Sequence, residues 1–203
     1  MCFSATASFM AAAGLLAVGV VASRRVRRPA EWPLALMPAL FGLQQLVEGG
    51  IWLTFTQDAA PLNSCLTQVF SVFSQVVWPV YVPLAVLLIE RTPWRRTVLA
   101  AFVVGGAAVG LFLGSAMVDT PVVSELHGGH IVYVFPHARV VVATTLYLLG
   151  ACMAPLFSSH ASVRLFGLAA TVALAGTYGV YATWLISEWC FFAAALSAIV
   201  LLY

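Results

Sequence analysis

The sequence has no lysine and few charged residues of any kind. All nine basic residues are arginine, and charged residues make up only 8% of the 203 positions. Because retinal is carried as a Schiff base on a lysine amine, the absence of lysine excludes a retinal cofactor. The formal net charge of +2 is too small to indicate a nucleic-acid partner, since nucleic-acid-binding proteins present a clearly basic face.

Apolar residues dominate the chain instead. They make up 63% of the sequence, and the mean hydropathy of +1.02 is typical of a protein surrounded by membrane lipids. Seven apolar stretches approach the ~20 residues that a helix needs to cross a bilayer. These stretches are residues 3–23, 32–55, 66–89, 97–118, 134–157, 163–185 and 187–203. The sequence therefore predicts an all-α, polytopic membrane protein, with residues 1–203 forming one compact seven-helix transmembrane domain.

The last two stretches belong to one unbroken apolar run. Only the segment from Trp184 to Trp189 contains polar residues at which the chain could turn. In that case Ser187 would cap the final helix, and Glu188 would lie in its first turn. A single long tilted helix over the same residues would instead reduce the count to six spans.

The arginines indicate an orientation. They occupy positions 24, 25, 27, 28, 91, 95, 96 and 164 in alternate loops, and the other loops hold only Arg139. By the positive-inside rule, the N-terminus is predicted to lie outside and the C-terminus in the cytoplasm. No basic segment precedes the first apolar stretch, so we expect the N-terminus to begin a mature helix and not a cleaved signal peptide.

Glu48 is the most informative single residue, because it lies inside the second apolar stretch. A charged side chain at that depth costs about 2.5–3.5 kcal/mol on insertion scales and often marks a functional site. Gln44, Gln45 and Trp52 are three or four positions away from Glu48, so all four side chains project from one helix face. Glu48 is the candidate catalytic residue if the protein is an enzyme.

A second polar face is predicted in the third span. Ser74 and Gln75 follow Ser71 at helical spacing, and Pro79 and Pro83 come directly after them. Such a face often only joins helices, because serine and glutamine form hydrogen bonds between membrane helices. Together with the Glu48 face, it predicts a polar cavity in the outer half of the bundle.

Other residues complete the predicted ligand-binding set. Tyr178 of the sixth span is expected to lie deeper than an interfacial tyrosine, and Glu188 is expected near the mouth of the cavity. For Glu48, the expected hydrogen-bonding partners are Ser74 or Gln75 of the third span, or His137 of the fifth.

A metal is a further possibility on the outer side. His127, His130 and His137 fall within eleven positions, and Cys2 and Cys190 are predicted at the same membrane face. Histidine and cysteine are ligands for transition metals, and His130, His137, Cys2 and Cys190 are the best candidates. The spacing matches no specific zinc or copper signature, so ordinary loop histidines are the alternative.

The cysteines allow a disulfide. Cys2, Cys65 and Cys190 are predicted at outer helix ends, where an oxidising environment permits disulfides, whereas Cys152 lies within the fifth span. We expect at least two of the three outer cysteines to lie within reach of each other or of a common ion. The alternative is that they serve as small apolar residues.

The fourth span contains a small-residue seam. Gly106, Gly110 and Gly114 repeat every four residues, a pattern that allows helix backbones to approach closely. The seam could pack against a helix of the same chain or against a second subunit, so it is the predicted surface for a homo- or hetero-oligomer.

Two patches resemble a known family. The chain begins Met1-Cys2-Phe3-Ser4-Ala-Thr-Ala and continues with Gln44-Gln45-x-x-Glu48. Both patches resemble an uncharacterised family of bacterial integral membrane proteins whose members begin Met-Cys, then Phe or Trp, then Ser-Ala-Thr-Ala. The resemblance implies a multi-pass protein of the bacterial cytoplasmic (inner) membrane and implies no activity or cofactor.

Three functions fit these observations. The first is an integral membrane protein that binds a small ligand or a metal in the polar cavity around Glu48. The second is a membrane-embedded enzyme, metal-dependent or not, that acts on lipid or isoprenoid substrates with Glu48 as a general base. The third is an accessory subunit of a larger membrane complex.

Overall fold

The computed structural model describes residues 4–57, 59–135, 138–181 and 184–203, with the side chains of 138–141 and 181 left out. The helices are α1 (Ala5–Arg25), α2 (Trp32–Thr56), α3 (Ala60–Val72), α4 (Trp78–Ile89), α5 (Pro93–Asp119), α6 (Ala138–Leu156), α7 (Ala161–Tyr181) and α8 (Leu185–Leu196). Short 3-10 helices cover Pro29–Glu31 and Ser197–Leu202, and the strands are β1 (Val123–His127) and β2 (His130–Val134). The all-α prediction is confirmed, with a hairpin added.

The helices match a membrane setting by length and composition. Six of those described are long and apolar enough to cross a membrane. The remaining apolar segment, Val142–Leu156, is shorter. Residues 163–203 were predicted as two spans, with one long tilted helix as the alternative, and the structure has two separate helices here, α7 and α8, which pack against each other.

The helix formed by residues 60–89 changes its geometry in the middle. Pro79 has no N–H, so the carbonyl of Gln75 loses its usual donor. The chain widens here into a π-helical turn, Phe73–Val77, in which the Trp78 amide donates to the Phe73 carbonyl. Such turns often occur at functional sites, and this one buries Ser74 and Gln75 inside the bundle.

The glycine seam of α5 packs within the chain. A Cβ atom at Gly106 would overlap with the carbonyl oxygen of Pro79, and one at Gly110 would lie 3.1 Å from the carbonyl oxygen of Val76. Pro83 cannot donate to the Pro79 carbonyl, so that oxygen stays free of the usual helical bond and faces α5. Of the two alternatives for Gly106, Gly110 and Gly114, the structure shows packing against a neighbour in the same chain, and an oligomer formed through this seam stays a prediction.

A β-hairpin occupies the segment that the sequence predicted as a long loop. Its strands pair in antiparallel register, with His127 opposite His130. Gly128 and Gly129 form the two-residue turn with φ of 58° and 79°, and positive values at both positions are those of a type I′ turn. Alternation along β2 turns Ile131 and Tyr133 inward, where both are buried.

Polar side chains fix the hairpin to α3. The Thr67 hydroxyl donates to Ser124 Oγ at 2.8 Å, and Ser124 donates to Asn63 Oδ1 at 2.9 Å. Gln68 binds both backbone groups of Val122, because its Nε2 donates to the carbonyl and its Oε1 accepts from the amide. The hairpin is thus held against one end of the helices, where it contributes Tyr133 to the interior.

Glu90 joins two interhelical connections at the end of the molecule opposite the hairpin, where most of the arginines lie. Its carboxylate accepts hydrogen bonds from the amides of Arg91 and Thr92, at 2.9 Å each, and from the amide of Ser159. Burial opposes ionisation of this carboxyl group, but the amide donors outweigh burial and lower its pKa to about 2. Glu90 therefore ties the α4–α5 link to the α6–α7 link.

We expect Glu90→Gln to lower the free energy of unfolding at neutral pH by about 1–3 kcal/mol, the usual value for hydrogen bonds to a charged group. Because the folded-state pKa lies below the ordinary value of 4.5, this stabilisation is present above pH ~4.5 and is lost as the pH falls towards ~2. Thermal unfolding measured across that pH range should show that the stability of the wild type falls more steeply with decreasing pH than the stability of Glu90→Gln. Glu125→Gln, at an exposed hairpin position, is the control, and equal slopes for the wild type and Glu90→Gln would contradict the assignment.

Candidate functional site

Glu48 lies at the centre of a buried polar cluster. Its side chain is 0% exposed. Gln45 Nε2 donates to Oε2 at 3.1 Å, the Ser187 hydroxyl donates to Oε1 at 2.7 Å, and the Tyr133 hydroxyl lies 3.5 Å from the same oxygen. Helix α2, helix α8 and strand β2 therefore each supply one donor. The prediction that Glu48 faces inward and has polar partners is confirmed.

Two of the three predicted partners, Ser74 and Gln75, bond to other groups. Ser74 donates to the Ser71 carbonyl of its own helix, and Gln75 accepts from Thr144 at 3.2 Å. His137 lies outside the described residues. Ser187, predicted as a helix cap, lies inside α8 and turns towards Glu48, because that helix begins two residues earlier, at Leu185.

The position of α2 explains why Glu48 is buried. This helix contacts α1, α3, α4 and α8, so most of its circumference faces protein. On the side of α1, Gly49 leaves room for the Phe9 ring, which a Cβ atom would meet at 2.7 Å. A glycine beside Glu48 thus allows α1 to close over the carboxylate, away from lipid.

Gln44 extends the cluster towards α4. The Trp78 indole N–H donates to Gln44 Oε1 at 2.6 Å, and the Trp78 ring stacks on Phe41 with a centroid distance of 3.8 Å. Cys190 of α8 lies close to both Gln44 and Glu48. Gln44, Gln45 and Glu48 are therefore all enclosed, as the predicted site required.

A second buried carboxylate directly follows Ser187, the residue that donates to Glu48. Glu188 is fully buried, and its Oε1 lies 2.8 Å from His130 Nδ1 of strand β2. The His130 ring also contacts the Trp184 ring at a centroid distance of 4.8 Å, and Trp184 donates to the His127 carbonyl at 3.2 Å. The hairpin is thus joined to α8 by His130 and to Glu48 by Tyr133.

Several buried polar atoms in the described part of the chain have no hydrogen-bond partner. They are Ser8 Oγ, Gln44 Nε2, Gln45 Oε1, Trp52 Nε1, Ser71 Oγ, Gln75 Nε2, Tyr147 Oη and Trp189 Nε1. Gln44, Gln45 and Trp52 flank Glu48 on one face of α2. Because a buried polar group without a partner costs about 1–3 kcal/mol, atoms of this kind point to a bound water or ligand.

Two predicted site residues have other positions. Tyr178 is 67% exposed on α7, so its assignment to the ligand-binding set is wrong; its side chain points out of the bundle. Glu188 is bound to His130 and is not at an open mouth. Trp52 is only partly buried, although its indole nitrogen is enclosed.

The predicted metal ligands do not form a cluster among the described residues, which contain no group of three or more histidine, cysteine, aspartate or glutamate side chains able to hold an ion. His130 is paired with Glu188. Cys190 is buried and Cys65 is exposed, and both are free thiols, so no disulfide joins them. Cys2 and His137 lie outside the described residues.

Three contributors to the cluster were not predicted as such: Tyr133, Ser187 and Thr144. Each reaches the cluster from another element, so no local pattern around Glu48 identifies them. A signal existed for Tyr133 alone, because two glycines between β-branched and aromatic residues favour a hairpin, and alternation along that hairpin turns Tyr133 inward.

These features define a helical protein whose apolar helices can cross a membrane and whose interior holds a buried polar cluster. The chain belongs to the Family of unknown function (DUF6629), whose model matches residues 1–203. The resemblance to an uncharacterised family is thereby confirmed. No curated protein matches the chain, and no solved structure does.

Proposed function

We propose that this chain is an integral membrane protein that binds a small polar ligand in the buried cluster around Glu48. The observation that supports this function is the set of enclosed atoms without partners on the Glu48 face, Gln44 Nε2, Gln45 Oε1 and Trp52 Nε1. A helix that carries unsatisfied donors and acceptors beside a buried carboxylate is costly unless something binds to them.

The same atoms suggest the chemistry of the ligand. Gln44 Nε2 and Trp52 Nε1 are donors, whereas Gln45 Oε1 is an acceptor. A ligand with both acceptor and donor groups, such as a small hydroxylated or amide-bearing molecule, satisfies all three. The polar atoms are few, and Phe41 and Trp78 pack beside them, a combination typical of small-molecule sites.

The metal, the enzyme and the subunit interpretations remain predictions. The described residues give the metal no ligand cluster. An enzyme acting on lipid or isoprenoid substrates would need a path from the lipid to Glu48, whose immediate surroundings are α2, α8 and the hairpin. A subunit role through the Gly106 seam would have to accommodate the packing of this seam against its own chain.

Native mass spectrometry of the protein purified in mild detergent tests ligand binding. We expect the wild type to carry a small molecule in addition to detergent and lipid, and Gln44→Leu to lose it. Gln57→Leu is the matched control, because it makes the same substitution at an exposed position just after α2. A wild-type protein without any additional mass would contradict the proposal. So would a Gln44→Leu protein that keeps the molecule.

The membrane arrangement belongs to the same proposal. We propose seven spans in a bacterial cytoplasmic membrane, with the hairpin outside and the end that contains Glu90 in the cytoplasm. The orientation follows from the positive-inside rule, because eight of the nine arginines lie in or next to the connections between helices at the Glu90 end. In a Cys2→Ala/Cys65→Ala background, an impermeant thiol reagent added to whole cells should label Glu125→Cys and leave Ser159→Cys unlabelled. Both positions are exposed, and the reverse labelling would overturn the orientation.

A further inference from the structure

A cavity of about 860 Å³ opens at the end of the molecule opposite the hairpin. Its walls come from the end of α1, the following link, the end of the α6–α7 connection and the last 3-10 helix. The chemically distinctive lining residues are Arg24, Arg25, Arg27, Arg28, His160 and Tyr203. The volume falls within the ~300–1,000 Å³ that small-molecule sites usually occupy.

Two of these arginines form hydrogen bonds with other residues that line the cavity. Arg25 Nη1 donates to the Leu201 carbonyl at 3.0 Å. Arg28 Nε donates to Glu31 Oε1 at 2.7 Å, and Arg28 Nη2 donates to the Tyr203 hydroxyl at 3.3 Å. Glu31, the acidic residue of the lining, is thereby paired, and it also accepts from the Arg27 amide at 2.9 Å.

The other two arginines are available for a ligand. Neither Arg24 nor Arg27 donates a side-chain hydrogen bond to any group in the described part of the chain, and both are exposed. His160 stays in place through an edge contact with Tyr203, at a ring-centroid distance of 4.9 Å. Four guanidinium groups and one paired carboxylate leave the cavity strongly positive.

We infer that this cavity binds an anionic phosphate group. Guanidinium groups match phosphate oxygens in geometry and charge and often bind them in a bidentate manner. The cavity lies where α1 ends, and α1 is one of the helices able to cross a membrane, so a phospholipid headgroup and a soluble phosphate can both reach it. This site is independent of the Glu48 cluster, which lies at the hairpin end.

The positive-inside rule explains why arginines gather at this end, but it does not explain their convergence on one cavity. Arg91 shows the difference. It lies at the same end and is exposed, yet it does not line the cavity. Arg91 is near enough to Tyr203 to interact with it electrostatically, but replacing Arg91 removes the same charge from the same face and leaves every lining residue in place.

The test compares the double variant Arg24→Gln/Arg27→Gln with the single variants Arg27→Gln and Arg91→Gln. Native mass spectrometry in detergent measures retention of added phosphatidylglycerol against phosphatidylcholine, and isothermal titration with inorganic phosphate measures the soluble anion. We expect the double variant to bind the preferred anion about tenfold more weakly, which corresponds to ~1.4 kcal/mol. Arg27→Gln should weaken binding by a smaller factor, and Arg91→Gln should match the wild type.

Each outcome decides the proposal. If the protein retains phosphatidylglycerol selectively, and this retention depends on Arg24 and Arg27, the cavity is a site for a lipid headgroup. If binding of inorganic phosphate depends on the same two arginines, the ligand is a soluble phosphate. Equal losses in Arg27→Gln and Arg91→Gln, or no loss in the double variant, would show that the arginines act only as surface charge and would overturn the site. Thermal unfolding of each variant checks that the exposed substitutions leave the fold intact.

Discussion

Gly106→Ala is expected to destabilise the protein strongly, whereas Gly105→Ala is expected to be neutral or slightly stabilising. A Cβ atom at Gly106 would overlap with the backbone oxygen of Pro79, while one at Gly105 meets nothing within 4 Å. Overpacking usually costs about 1–3 kcal/mol and more when the backbone must move. At an open helical position, alanine is favoured over glycine by about 0.5–1 kcal/mol.

The rest of the seam provides a graded series. An added Cβ would lie 3.1 Å from the Val76 carbonyl oxygen at Gly110, but 3.4 Å from a Val76 methyl group at Gly114. Thermal unfolding in detergent should therefore rank the alanine variants, with Gly106 the most damaged, then Gly110, then Gly114. Similar effects at all three positions would contradict packing against the π-helical turn and the start of α4. A change in oligomeric state without any loss of monomer stability would instead support the subunit-docking interpretation.

The helices were predictable because their signal is local. Runs of apolar residues of bilayer length gave bounds for α1 and α2 within two residues of those observed, Ala5–Arg25 and Trp32–Thr56. The burial of Glu48 was also predictable, since a carboxylate in an apolar helix is too costly to expose to lipid. These predictions depend only on neighbours in sequence and on the membrane as a solvent.

The partners of Glu48 were not predictable in the same way. Tyr133 and Ser187 are 85 and 139 positions away from it, so their approach depends on how the hairpin and α8 pack. Ser187 also had a convincing local role as a helix cap, and that role hid the long-range one. Glu90 was missed for a related reason, because its donor Ser159 comes from a distant link.

Glu48→Leu is expected to have the second large effect, a loss of about 3 kcal/mol or more in the free energy of unfolding. The substitution removes the carboxylate to which Gln45 Nε2, the Ser187 hydroxyl and the Tyr133 hydroxyl donate, and a hydrogen bond to a charged group contributes about 1.5–3 kcal/mol. The bond from Tyr133 is the longest, at 3.5 Å, so Tyr133→Phe alone should cost the least.

Glu48→Gln is the matched variant that separates charge from shape. Its amide oxygen can still accept from Ser187, and its new N–H₂ group can donate to Gln45 Oε1, which has no partner among the described residues. We therefore expect a loss of only about 1 kcal/mol, the usual net value of one hydrogen bond. Chemical or thermal unfolding in detergent measures both variants, with Gln57→Leu as the exposed control.

The pair of variants also distinguishes a structural from a functional carboxylate. If Glu48 only joins α2, α8 and the hairpin, Glu48→Gln should lose only about 1 kcal/mol of stability and keep any small molecule seen by native mass spectrometry. If its negative charge binds the ligand, Glu48→Gln should stay folded and lose that molecule, because the isosteric amide removes the charge and preserves the packing. A Glu48→Leu protein as stable as the wild type would refute both roles, since the three donors would then not depend on this carboxylate.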